Sequence, residues 1–230
     1  MPLTDGFKAT MDAAIADPKS TAYDQLIKDQ LAAYQTRFAA TPGFPTVDWK
    51  LFKALLLVES GGPAGRVWTG KVMQIGNTGD PAYQVLISGA EHSKLIMDPQ
   101  LVTDLRTGNI ADARLNIRAA MAYKFTRAAQ TTQQLFIDNP ALLVYIVKRG
   151  DSLSSIAIKS STTIQDLANC NPKATGAIHP GDKLSYHKSH MGYAISGWLP
   201  ITADFLANRY NGGGDPNYAE KLNYVLAKLP

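Results

Sequence analysis

Glu59-Ser60 closes the run Ala54-Leu55-Leu56-Leu57-Val58, and no other point of the chain is as well equipped for proton chemistry. In a helix, Leu55 at i−4 and Phe52 at i−7 share a face with Glu59, so its carboxyl stands among hydrocarbon. A place in the last turn also sets it against the negative end of the helix dipole. Both influences favour the protonated acid, the form that can donate a proton near neutrality. Taken alone, a glutamate in a last turn reads more readily as a solvent-facing residue. Met73-Gln74 lies in a glycine-bounded loop, Tyr123 ends Asn116-Ile117-Arg118-Ala119-Ala120-Met121-Ala122-Tyr123, and Tyr210-Asn211 precedes three glycines. By residue type these have plain readings. Met73 and Tyr123 read as core residues, Asn211 as a helix cap or turn residue, and Ser60 as a cap on its own helix end. Asp80, the nearest second carboxylate, either reaches a water or makes a turn with Pro81. His187 and His190 flank Lys188-Ser189, and His92 and His179 are isolated. No metal-ligand spacing emerges, so neither metal nor cofactor is expected. Cys170 is the single cysteine, which excludes an internal disulfide, and it reads as a small buried helix residue.

These side chains need a scaffold. Asp48 is placed to cap a helix from Trp49 to Ser60, which Gly61-Gly62-Pro63 stops; being apolar nearly all round, it belongs in the centre of a core. Helices are expected over Asp5–Asp17 and Thr21–Ala40, then from about Asn109 to Gln134, with a short one within Pro99–Thr107. Ala64 to Ser88 is glycine-rich and turn-like, and Asp138-Asn139-Pro140 marks a boundary. A final helical pair covers Ile201–Arg209 and Pro216–Leu229. Between these lies a self-contained segment, Val144 to His187, ordered strand, turn, helix, helix, turn, strand. Val144 to Val147 is β-branched and aromatic, Arg149-Gly150-Asp151 turns, Ser152 and Thr163 cap the two helices, and Asn171-Pro172 ends the second. Pro180-Gly181-Asp182 turns into the last strand, and Lys188 to Gly197 is a linker by composition.

The opening "VKRGDSLSSIA", the "NP" and the closing "IHPGDKL" make this segment resemble the LysM module over its whole length. The resemblance implies binding of N-acetylglucosamine-containing glycans through the two loops beside the helices: Gly150, Asp151, Ser152 and Leu153 on one, Asn171, Pro172 and Ile178 on the other. The flanking motifs, "ALLLVES", "GKVMQI", "NIRAAMAY", "RYNGG" and "YAEKL", resemble in order the soluble lytic transglycosylase and goose-type lysozyme superfamily. That resemblance implies Glu59 as general acid, with Ser60, Met73, Gln74, Tyr123, Tyr210 and Asn211 binding substrate. Lys71-Val72 departs from the small apolar pair that precedes Met-Gln in the family, placing a charge in the loop. The implied fold class is α+β, a mainly α-helical lysozyme-like domain with an inserted βααβ LysM module. Its expected divisions are an N-terminal helical extension (1–45), the first part of the lysozyme-like domain (46–140), the LysM insertion (141–190) and the C-terminal part (191–230).

The implied reaction is cleavage between N-acetylmuramic acid and N-acetylglucosamine in peptidoglycan. A lytic transglycosylase needs one carboxyl, whereas hydrolases normally use two; the lone Glu59 ranks the transglycosylase ahead of a muramidase using Asp80. A non-catalytic wall-binding protein is the alternative from another class, and a chitin-directed enzyme a third. The chain is 45% apolar and 18% charged with a net charge of +4, which suits anionic polymers without the basic clusters of a nucleic-acid binder. No run is long enough for a membrane span, and the N-terminus lacks the apolar stretch of a signal peptide. The expectation is a protein made in the cytoplasm and acting in the periplasm or cell wall after non-classical export. It is either a type VI secretion effector, with a cognate immunity protein or secretion component as partner, or a phage endolysin.

Overall fold

The structure, a computed structural model, describes residues 2–172, 177–209 and 214–230. The fold mixes α and β, with helices predominating and one two-stranded sheet among the described residues. The chain divides into two compact units, Met1–Gln130 with Ile195–Pro230, and Thr131–Ala194.

In the first unit, α1 (Asp5–Ala16) and α2 (Asp24–Phe38) precede α3 (Trp49–Ser60). Asp48 caps α3 as its sequence predicts, accepting the Lys50 N–H at 3.0 Å, and Gly61 ends it with φ 75°. Phe52, Leu55, Leu56 and Leu57 are all buried, so the absence of a polar face is matched by burial on every side. Met11, Ala14, Ile27, Leu31 and Tyr34 join the same core, so α1 and α2 are part of this unit's packing. Gly62 lets α1 approach the end of α3. Its φ is 76°, and a Cβ there would stand 2.3 Å from Ala14 Cβ.

The glycine-rich segment after α3 is not turn throughout: Pro81–Ser88 forms α4, capped by Asp80 through the Ala82 N–H at 2.9 Å. An aspartate followed by proline at the first helical position is an ordinary start signal, hidden here by the glycines before it. α5 (Pro99–Thr107) and α6 (Ala113–Ala128) follow. α6 is buried along almost its whole length, with Ala119, Ala120 and Ala122 allowing close packing.

The expected continuation of this helix to Gln134 does not occur. Ala129 is extended and opens β1 (Ala129–Ile146), where Thr131, Thr132, Phe136, Ile137, Val144 and Tyr145 favour the pleated backbone. Pro140 is tolerated because each strand of a two-stranded ribbon has an unpaired side. After α7 (Leu153–Ser160) and α8 (Ile164–Cys170), β2 (Lys183–Trp198) returns antiparallel to β1. Leu199 N–H bonds Ala128 O at 2.8 Å at one end, and Val147 N–H bonds Asp182 O at 2.9 Å at the other. Lys188–Gly197 is therefore strand rather than linker. The alternation of Met191, Tyr193 and Ile195 carried that signal beneath a linker-like composition. α9 (Ala203–Arg209) and α10 (Tyr218–Lys228) complete the first unit.

The second unit has its own small core of Val147, Ile156, Ala157, Leu167 and Leu184, with Tyr145, Leu153, Ile178 and Tyr186 packed around it. Ser152 caps α7 in a reciprocal box with Ser155, and Thr163 caps α8, as their positions in sequence predict.

Candidate functional site

Glu59 lies in the last turn of α3, and one carboxylate oxygen accepts a hydrogen bond from the Tyr218 hydroxyl at the start of α10. Burial pushes its pKa above the ordinary 4.5, opposed by the Tyr218 hydrogen bond and the charge of Lys124. Both partners are themselves buried. Lys124 sits on α6, and burial drives its pKa well below 10.5 against the pull of Glu59 and Asp80. A carboxyl with raised proton affinity and a hydrogen-bond donor aimed at it is the arrangement of a group that gives up and regains a proton.

Glu59 opens on a cleft of about 350 Å³, lined also by Gln74, Asn77, Thr78, Gly79, Asp80, Pro81, Ala82 and Tyr123. The loop that forms one wall is tightly tied. Asn116, fully buried on α6, accepts the Met73 N–H at 2.8 Å and donates to Ile75 O at 2.8 Å and Ile110 O at 3.1 Å. Lys71 donates through Nζ to Gly76 O, so its charge braces the loop. Gln74 takes a φ of 59°, uncommon for a residue with a Cβ. Its side-chain amide donates to Glu59 O at 3.4 Å and accepts from Asn77 Nδ2 at 2.8 Å.

The structure thus brings Glu59, Gln74 and Tyr123 to one cleft. Met73 is 1% exposed and belongs to the core beneath the loop. Ser60 is buried and turned into the helix end, its hydroxyl donating to Leu56 O and accepting from Gly62 N–H. Asp80 lines the cleft, but one oxygen accepts the Gly76 N–H at 2.7 Å and the other the Ala82 N–H. Tyr210 and Asn211 lie outside the described residues. Sequence reading did not single out Tyr218 or Lys124 as site residues. Tyr218 stood in the "YAEKL" motif, and Lys124 falls two turns beyond Asn116 on the same helical face, which was the available signal.

In the second unit, several residues of the expected glycan loops spend their polar atoms on the module itself. Asp151 accepts from Lys159 Nζ at 2.6 Å, Lys148 N–H at 2.8 Å and Tyr145 Oη at 2.9 Å. Asn171 staples the end of α8 to β2, bonding Leu167 O, Ser185 O and Ser185 N–H. Leu153 and Ile178 lean on the small core, whereas Gly150, Ser152 and Pro172 are exposed. This βααβ arrangement, with its capped helices and closing turn, is borne out by comparison with known families. Residues 145–185 match the LysM domain. LysM is a peptidoglycan-binding domain, so the match suggests glycan binding by this segment. No curated protein and no solved structure gives a significant match to the chain. No described helix is long and apolar enough to cross a membrane.

The interactions of Asp151, chiefly with Lys159 and then the Lys148 N–H, hold its carboxyl down at about 2 from the ordinary 3.8. A depressed carboxyl stabilises the folded LysM domain above the unfolded pKa and loses that contribution as pH falls through the folded one. Acid melting of the full chain should therefore steepen between about pH 4 and 2, and Asp151→Asn should lower the melting temperature at neutral pH while flattening that acid decline. An unchanged acid profile in the variant would assign the sensitivity elsewhere.

Proposed function

We propose that the first unit is a peptidoglycan-cleaving domain of the lytic transglycosylase kind and that the LysM domain holds its substrate. The observation that carries this reading is Glu59, a partly buried carboxyl of raised pKa bonded to Tyr218 at the edge of a solvent-open cleft. Glu59 donates its proton to the oxygen leaving the N-acetylmuramic acid C1. The resulting carboxylate then accepts the proton of that sugar's C6 hydroxyl as its oxygen attacks C1. A 1,6-anhydro end forms, no water is consumed, and Glu59 is left protonated for the next turn. Gln74 and Tyr123 are the cleft groups that hold the sugar, a role the sequence motif assigns also to Tyr210 and Asn211.

Occupation of both Asp80 oxygens by backbone N–H groups favours the single-carboxyl mechanism. A muramidase using Asp80 is the second reading, favoured by that residue's presence in the same cleft. Sacculi purified and digested with the protein, with the soluble products weighed by mass spectrometry, separate the two. Muropeptides with 1,6-anhydro ends are expected. Reducing ends would replace the transglycosylase by the hydrolase, and no soluble product at all would reduce the chain to a wall-binding protein. This function places the protein's site of action in the periplasm or cell wall, reached by effector secretion or phage lysis. An immunity protein is the corresponding partner for a secreted effector.

A further inference from the structure

Within the second unit, Asp166, Cys170 and His187 bring a carboxylate, a thiol and an imidazole together. Asp166 and Cys170 are one helical turn apart on α8, and His187 stands opposite on β2, at sequence separations of four and seventeen. The three facing atoms form a nearly equilateral triangle. Asp166 Oδ1 to His187 Nδ1 is 3.0 Å, Cys170 Sγ to His187 Nδ1 is 3.4 Å, and Cys170 Sγ to Asp166 Oδ1 is 3.7 Å.

A triangle of these sides does not suit a thiol nucleophile. A relay of that kind needs the thiol and the carboxylate on opposite nitrogens of the imidazole, and here both meet Nδ1. It does suit one face of a tetrahedral coordination shell. Zinc bonds to nitrogen, oxygen and sulfur are about 2.0–2.3 Å long, and a point at about that distance from all three atoms exists above such a triangle. The carboxylate is already oriented for it. Asp166 Oδ2 accepts from His187 N–H at 2.6 Å and Thr162 Oγ1 at 3.1 Å, which leaves Oδ1 turned to the other two ligands. Hydrogen bonding of a ligand carboxylate from behind is the usual support of a metal site. Cys170 and His187 are partly exposed, so an ion has a path from solvent and room for a water as fourth ligand.

We infer that Asp166, Cys170 and His187 form a zinc-class site that braces α8 against β2. Binding converts the thiol to a thiolate and releases its proton to solvent. Thiolate, imidazole and carboxylate together select a borderline-soft divalent ion over magnesium or calcium. The site is independent of the cleft around Glu59 and of any catalytic activity there.

Cobalt(II) reports the ligands directly. Titrating the metal-stripped full chain should produce a thiolate-to-cobalt absorption band in the near ultraviolet that saturates at about one equivalent and is displaced by zinc. Zinc should also raise the melting temperature. Cys170→Ala should abolish the band, and His187→Gln should weaken cobalt binding by at least about tenfold, each metal-free variant keeping the far-ultraviolet circular dichroism of the parent. A parent chain without the band at excess cobalt would overturn the site and leave a hydrogen-bonded trio. A band that survives Cys170→Ala would overturn it equally, because this chain holds no other thiol.

Discussion

Glu59→Gln is expected to cut muropeptide release from purified sacculi by about 10²- to 10⁴-fold, the range that a positioned general acid contributes. The substitution keeps the shape of the side chain and an oxygen for the Tyr218 hydroxyl, but an amide has no proton to hand to a leaving sugar oxygen. Loss of folding would not explain the effect. The pKa of Glu59 is raised in the folded state, so ionising it costs stability as pH climbs from about 4.5 through the folded value. The amide carries no such cost, and the variant should melt at or above the wild-type temperature at pH 7. Tyr218→Phe supplies the companion measurement. Its hydroxyl holds the pKa of Glu59 down, so removing it should carry the alkaline fall of activity to higher pH. Wild-type release by Glu59→Gln would take this residue out of the chemistry. An alkaline limb unmoved in Tyr218→Phe would assign the titration to another group.

How far this site could be read in advance depended on the sequence distance between its parts. The position of Glu59 at a helix end was legible because every signal is local: the Asp48 cap, the apolar run and the Gly61 stop lie within fourteen residues. Its raised pKa was anticipated from the hydrocarbon on its own helix and from the helix dipole, and burial is the leading cause of the rise. Tyr218 reaches it from 159 positions away and Lys124 from another helix, and no local pattern announces either contact. The same reasoning accounts for the ribbon. Residues Ala129 to Gln134 follow a strongly helical segment and were absorbed into it, but Leu199 pairs with Ala128 and draws the backbone into an extended path. Tertiary pairing overrode propensity there. The LysM segment was legible because its caps, turns and small core lie within forty-odd residues. Its Asp166–Cys170–His187 cluster was not, because His187 lies 17 residues from Cys170 and 21 from Asp166 and no local pattern joins them.

Asn116→Leu should have the largest effect on stability, because one side chain holds the loop that shapes the cleft. With no exposure, Asn116 satisfies the Met73 N–H and the Ile75 carbonyl on either side of Gln74. Leucine of similar size takes this partner from the Met73 N–H and from the Ile75 and Ile110 carbonyls, at about 1–3 kcal/mol each, so a loss of several kcal/mol is expected in denaturant unfolding. Gln74 gives the loss a particular meaning. Its left-handed φ costs about 1 kcal/mol or more for a residue with a Cβ, and the two Asn116 bonds hold the backbone there. Gln74→Gly relieves that strain, and the chain should unfold no more easily than the parent while losing a cleft side chain. The double variant then decides whether strain and lock are one device. If they are, Asn116→Leu costs less in the Gln74→Gly background, with a coupling between about 0.5 and 3 kcal/mol. Additivity within about 0.5 kcal/mol would mean that Asn116 only fills its own hydrogen bonds and that Gln74 is held in place by the remainder of the loop, Lys71 and Asp80 foremost.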